Sequence, residues 1–147
     1  MKKSLLLLLA LMIMPFFIFA DSETDFDVAK CYDAAKSNDV LRACASEDYT
    51  LADQKLNLVY SKLIEQIKGN ITPDAIEQSD AAIETLNRLV ASEKAWILYR
   101  DTQCNFEGTV MIGGDGESVV ITGCLSRLTK ERAKILEESL IQPKIEY

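Results

Sequence analysis

Residues 72–108 read TPDAIEQSDAAIETLNRLVASEKAWILYRDTQCNFEG. Thr72-Pro73-Asp74 is a helix start signal: a capping hydroxyl, a proline at the first helical position, then an acid near the positive end of the helix dipole. No glycine or further proline follows until Gly108. Ile76, Ile83, Leu86, Val90, Ile97 and Cys104 recur at helical spacing, flanked by Leu89 and Trp96. The stretch predicts one long helix with an apolar stripe, and it sets the class of the whole chain as all-α.

Working outward, the C-terminal side begins with a glycine-rich segment. Gly108 to Gly123 holds five of the six glycines, with Val110-Met111-Ile112 and Val119-Val120-Ile121 around Gly113-Gly114-Asp115-Gly116. A small hairpin is one reading. The favoured one is a loop pinned at its base by Cys104 and Cys124. A last amphipathic helix is expected from near Cys124, with Leu125, Leu128, Ile135, Leu136 and Leu140 on its buried face and Pro143 at its end. On the N-terminal side, Phe26 to Lys36 is a short helical stretch and Val40 to Cys44 another turn or two. Thr50 is placed to cap a further helix with Asp53 in its first turn. Ala52, Leu56, Val59, Tyr60, Leu63 and Ile67 form that helix's inner face, and Gly69-Asn70 ends it.

Residues 1–20 read as an export signal. Lys2 and Lys3 precede an almost wholly apolar run from Ser4 to Ala20, interrupted by Pro15, and the chain then turns abruptly acidic at Asp21. Ile18-Phe19-Ala20 fits a cleavage site with Ala20 at the cut. The expectation is a single domain over 21–147, exported to the periplasm or secreted, with no stable membrane insertion after cleavage. The formal charge is −7 from 16 Lys+Arg and 23 Asp+Glu. Removing the signal takes Lys2 and Lys3, so 14 bases face 23 acids and the charge becomes −9. A domain this acidic is repelled by phosphates, which argues against nucleic acid and anionic lipid. It suits a basic protein partner.

The chain contains no histidine. That removes Ser-His and Cys-His nucleophilic systems, imidazole metal sites and histidine pH switches. The four cysteines are Cys31, Cys44, Cys104 and Cys124. No C-x-x-C pair is present, which disfavours both a thioredoxin-like role and a four-cysteine zinc site. Outside the cytoplasm they should form disulfides. Three pairings are possible, and the spacing favours two local clips, Cys31–Cys44 and Cys104–Cys124. The glycines match no nucleotide fingerprint and lack the spaced acids of a calcium loop. No cofactor and no metal are expected.

Several polar residues sit where a helical core face would prefer apolar ones. Asp53, Asn57 and Tyr60 fall at i, i+4 and i+7, on one edge of a helix. They read either as a binding patch or, as favoured here, as a polar seam in which Asp53 accepts from an arginine on a neighbouring helix. Trp96 reads as a core anchor. Arg100, one turn on, could brace a carboxylate such as Asp53, and Arg132 could act similarly.

These residues together carry a family resemblance. Cys31, Cys44, Asp53-x-x-Leu56-Asn57-x-x-Tyr60, then Ala95-Trp96-Ile97-x-Tyr99-Arg100-Asp101-x-x-Cys104, Gly113-Gly114, Cys124-Leu125 and Leu128-Thr129-x-x-Arg132-Ala133 resemble the LprI-type lysozyme-inhibitor family, small exported proteins of bacteria. The resemblance implies a small helical bundle with disulfides and, for some members, inhibition of lysozyme. It marks Asp53, Leu56, Asn57, Tyr60, Trp96, Arg100, Asp101, Thr129 and Arg132 as motif residues, structural or binding. Two positions depart from the family pattern. Ser92-Glu93-Lys94 stands where a glutamine is common, and Asp115-Gly116 where a serine is common.

The functional expectation is a non-enzymatic inhibitor of lysozyme or a related cell-wall hydrolase. Its candidate contacts are Met111, Ile112, Asp115 and Glu117, on the clipped loop. An envelope binding module without a hydrolase target is the second reading.

Overall fold

A computed structural model describes residues 26–71 and 76–141. The export signal, the Thr72-Pro73-Asp74 start and Pro143 lie outside them. The elements are α1 (Val28–Ala34), α2 (Asn38–Lys68), α3 (Ile76–Gly108), a single 3-10 turn (Thr109–Met111) and α4 (Glu117–Ile141). No strand occurs among the described residues. The chain is an all-α bundle with disulfides Cys31–Cys44 and Cys104–Cys124, as expected.

The caps explain the helix starts. Asp27 accepts from the Lys30 amide at 3.0 Å and opens α1. Ser37 accepts from the Val40 amide at 3.4 Å and opens α2. Each satisfies one of the amides that a helix leaves unpaired. Thr50 is not a cap. It lies inside α2, where its hydroxyl donates to the Ser46 carbonyl at 2.9 Å, the helix-internal alternative open to a threonine. The separate turn expected at 40–44 and the helix expected from Thr50 are therefore one element. The Cys31–Cys44 bridge ties α1 to its first third.

α4 is the central packing element. It runs against most of α2 and against part of α3, while α2 and α3 touch each other over a short length only. The larger apolar cluster joins Leu56, Val59, Leu63 and Ile67 of α2 to Ala82 of α3 and to Ala133 and Leu136 of α4. A second cluster joins Cys104 to Cys124 and Leu128. Trp96 packs against both.

Three sequence expectations change here. The inner face of α3 is Ala82, Leu86, Leu89, Glu93, Trp96, Arg100 and Cys104, whereas Ile83 and Ile97 are exposed. Ile135 of α4 is exposed as well. α4 also begins at Glu117, well before Cys124, so Val119-Val120-Ile121 is helical and the non-helical connection shrinks to Ile112–Gly116. Gly113 supplies the one positive φ, 71°, that this tight connection needs.

At Gly108, α3 packs closely against Ile121 of α4. A Cβ there would lie 2.5 Å from Cγ1 of Ile121, a stiff β-branched side chain. Gly108→Ala should therefore destabilise the oxidised domain by about 1–3 kcal/mol in urea unfolding. Combining it with Ile121→Ala should recover part of that loss. Wild-type stability for Gly108→Ala alone would refute the close approach.

Candidate functional site

The short contact between α2 and α3 leaves a groove. Two positions on α2, Asp53 and Asn57, and three on α3, Glu93, Lys94 and Arg100, supply its charged and amide groups. Leu56, Val90, Trp96 and Ile97 supply apolar wall, and Tyr60 closes the α2 side. Its volume is about 330 Å³, at the small end for ligand sites. Six of the nine motif residues, Asp53, Leu56, Asn57, Tyr60, Trp96 and Arg100, meet here. Their spacing along the chain gave no direct sign of it, because the groove depends on how far the two helices stand apart.

The expected Asp53–Arg100 brace is absent. Asp53 Oδ2 instead accepts from Asn57 Nδ2 at 2.8 Å, along the same helix. Arg100 pairs with Asp101, its neighbour in sequence, through Nε and Nη2 at 2.8 Å to one carboxylate oxygen. The Arg100 guanidinium also lies 5.1 Å from the Trp96 ring and 5.7 Å from the Tyr49 ring, within cation–π range. Its position is fixed by aromatic stacking and by Asp101, so its remaining N–H groups are free of the carboxylate across the groove.

Arg132 does brace a carboxylate, and the partner is Glu93. The pair is 2.9 Å apart, both side chains are 12% exposed, and Arg132 Nη2 also donates to Ser92 Oγ at 3.0 Å. Arg132 lies 5.7 Å from Trp96. Ser92 and Glu93 belong to the stretch that departs from the family pattern, so the departure builds its own partner for Arg132. Burial, and next the Glu93 charge, push the Tyr60 phenol above its ordinary value, with Arg132 opposing. Tyr60 therefore stays protonated near neutral pH and keeps a donor for the groove.

Sequence reasoning missed a second buried polar group. Asp48 accepts from Ser126 Oγ at 2.7 Å and from Lys130 Nζ. An acid four residues before Ala52 on an inward face was the available signal. Thr129 is outside the groove. It is fully buried on α4, and its hydroxyl has no hydrogen-bond partner among the described residues.

The candidate contact residues gather elsewhere, beyond the last turn of α3. Val110, Met111 and Ile112 are 75%, 50% and 73% exposed, and Phe106 one turn before them is exposed too. Glu117 accepts from the Gly113 amide at 2.8 Å, and the Asp115 carbonyl accepts from Arg42 of α2 at 2.9 Å. The Cys104–Cys124 bridge lies just behind, with a Cα separation of 5.4 Å. Glu117 thus holds the turn's shape. Met111 and Ile112 are its projecting surface, and the exposed Asp115 side chain lies at its rim.

Among the described residues no group of three or more His, Cys, Asp or Glu is placed to hold a metal ion, and no helix is long and apolar enough to cross a membrane. A groove and an exposed apolar turn thus sit on a disulfide-clipped helical bundle. Comparison with known proteins makes this specific. The family described as "Lysozyme inhibitor LprI" matches residues 31–136, and the chain belongs to that family. It is 36% identical over 99 residues to an uncharacterized protein of Rhizobium meliloti (strain 1021), covering 67% of this chain and 70% of that one. It is 28% identical over 87 residues to the uncharacterized protein YecT of Escherichia coli (strain K12), 54% of this chain and about half, 52%, of YecT. The crystal structure of a DUF1311 family protein from Pseudomonas putida KT2440 is similar, with a TM-score of 0.59 and 26% identity. That match covers 70% of this chain and 93% of the other.

Two stability measurements check the polar interior. Arg132→Ala leaves Glu93 nearly buried and uncompensated, and should cost about 3 kcal/mol, more than the double variant Glu93→Leu/Arg132→Ala. Equal losses would mean that the pair is not coupled. Thr129→Val removes a buried hydroxyl without a partner and should raise stability by about 1 kcal/mol. A fall would show that the hydroxyl is satisfied.

Proposed function

We propose that this chain is a non-enzymatic inhibitor of lysozyme or a related cell-wall hydrolase, acting after export as a single domain over 21–147. Family membership supports the class of target. The observation that carries the mode of action is the exposed apolar turn at Val110, Met111 and Ile112, held on a braced and disulfide-backed end. Large apolar side chains left in water at a rigid tip are typical of a surface that is buried in a complex. A pre-shaped turn loses less conformational freedom on docking than a flexible one.

Charge supports the same reading at longer range. The exported domain carries −9 by sequence, and many lysozymes are basic. Opposite net charge speeds encounter and makes it salt-sensitive. It does not occlude a cleft, and that task falls to the tip. An acid pushed among a hydrolase's catalytic carboxylates would be repelled, so Asp115 serves at the rim while Met111 and Ile112 enter.

The test is lysis of cell-wall substrate by several lysozymes, with the oxidised protein present at low and moderate salt. Inhibition should be stronger at low salt. Met111→Ala/Ile112→Asp should weaken it by about tenfold or more, with helicity unchanged. No inhibition and no complex at micromolar concentration would overturn the proposal.

A further inference from the structure

We infer that the α2–α3 groove is a second binding site, separate from the tip, and that it takes a short neutral saccharide. The first argument is charge balance. Asp53 and Glu93 face the groove with Lys94 and Arg100, two acids against two bases; Glu93 is further paired with Arg132, and Arg100 with Asp101. An anion would meet Asp53, and a cation would meet Lys94 and Arg100. Neither gains from the local field. A neutral ligand meets no such opposition.

The second argument is hydrogen-bonding capacity. A guanidinium carries five N–H groups. Arg100 is 9% exposed and gives Asp101 only one N–H from Nε and one contact from Nη2. Its remaining donors have no partner among the described residues. The same holds for Lys94 Nζ on α3. On the opposite wall, α2, Asp53 Oδ1 and Asn57 Oδ1 are uncommitted acceptors, the Asn57 amide having been used on Asp53 Oδ2, and Tyr60 Oη beside them is unpartnered among the described residues. Unspent donors and acceptors thus face each other across one small space. Hydroxyl groups donate and accept at once, so a polyhydroxylated ring satisfies both walls. The C–H face of such a ring suits the apolar wall of Leu56, Val90 and Ile97.

A peptide fits less well. An extended peptide needs regular backbone partners, and helix flanks offer none. A docked amphipathic helix would leave Asp53 and Lys94 unpaired beneath it.

Trp96 is the only tryptophan and lines the groove, so intrinsic fluorescence of the oxidised protein reports occupancy directly. The probes are tri-N-acetylchitotriose, cellotriose and maltotriose, with arginine methyl ester and succinate as charged comparators. At least one neutral trisaccharide should give a saturable change at millimolar concentration. Asn57→Ala, at an exposed position, should weaken it about fivefold, the loss of one hydrogen-bonding group. Asp53→Asn should also weaken it, with the circular dichroism spectrum unchanged for both variants. Three results would overturn the inference: no saturable change with any trisaccharide, an undiminished response in both variants, or stronger saturation by either charged comparator. The titration contains no hydrolase, so its failure and that of the inhibition assay are read separately.

Discussion

Trp96 is the side chain on which the rest of the bundle depends. Among the described residues it alone packs against both apolar clusters, the long one shared by α2, α3 and α4 and the short one around Cys104–Cys124. An indole is large enough to span them. Two guanidinium groups, Arg100 and Arg132, lie within 5.7 Å of its ring. Each is also held by a carboxylate, Asp101 for Arg100 and Glu93 for Arg132. The indole thereby fixes the position of two cations that would otherwise be costly to take out of water. One of those cations faces the groove, and the other ties α4 to α3.

The ion pairs between helices follow a single plan. α4 sends Lys130 to Asp48 of α2, Arg132 to Glu93 of α3 and Arg127 to Glu107 of α3, and receives Lys55 of α2 at Glu137. These contacts lie along both flanks of α4, so they set its rotation between its neighbours. Exposed pairs of this kind add little stability individually. The two partly buried ones matter more for register, because a turned helix would leave Asp48 or Glu93 desolvated and alone. The Glu107 carboxyl is held below its usual range by the Gln103 side chain and by Arg127. It therefore stays charged where α3 meets α4. A bundle with more acids than bases thus commits several of its bases to pairs between helices.

Much of this was legible in the chain, and the exceptions have specific physical causes. The inner face of α2 from Ala52 to Ile67 was readable because large apolar residues repeat there without interruption. The start of α2 was not, because Thr50 carries the chemistry of a cap and spends it on the Ser46 carbonyl. The stripe on α3 was misplaced by part of a turn. Its true face includes Ala82, Glu93 and Arg100, and a small residue or a paired charge gives no apolar signal. The Val119-Val120-Ile121 run looks strand-like by propensity, yet the Cys104–Cys124 bridge and Gly108 set it against α3 as helix. Both disulfides are the local clips that spacing favoured among three possible pairings. The shared edge of Asp53, Asn57 and Tyr60 and an approach of Arg100 to Asp53 were anticipated, the latter as a brace, but the groove that gathers them with Leu56 and Trp96 was not. It depends on the separation of α2 and α3, which α4 sets from the other side.

The two surfaces recognise by different physics because of where the chain puts its charge. The groove is electrically balanced, with acids and bases on facing walls, so it exerts little pull at a distance. Selection there rests on hydrogen-bond geometry and shape, which act only at contact. The tip is apolar and sits on a domain with a large net negative charge, so approach is governed by the whole molecule's field and contact by side-chain burial. Both adjoin α3, which supplies one wall of the groove from residues 90–100 and leads into the tip beyond Gly108. Between them the Cys104–Cys124 bridge ties α3 to α4, and Trp96 anchors α3 beside the groove. If both surfaces bind as proposed, independent occupancy is the expected consequence: a ligand in the groove should leave the tip's shape unchanged, and a partner on the tip should leave the groove open.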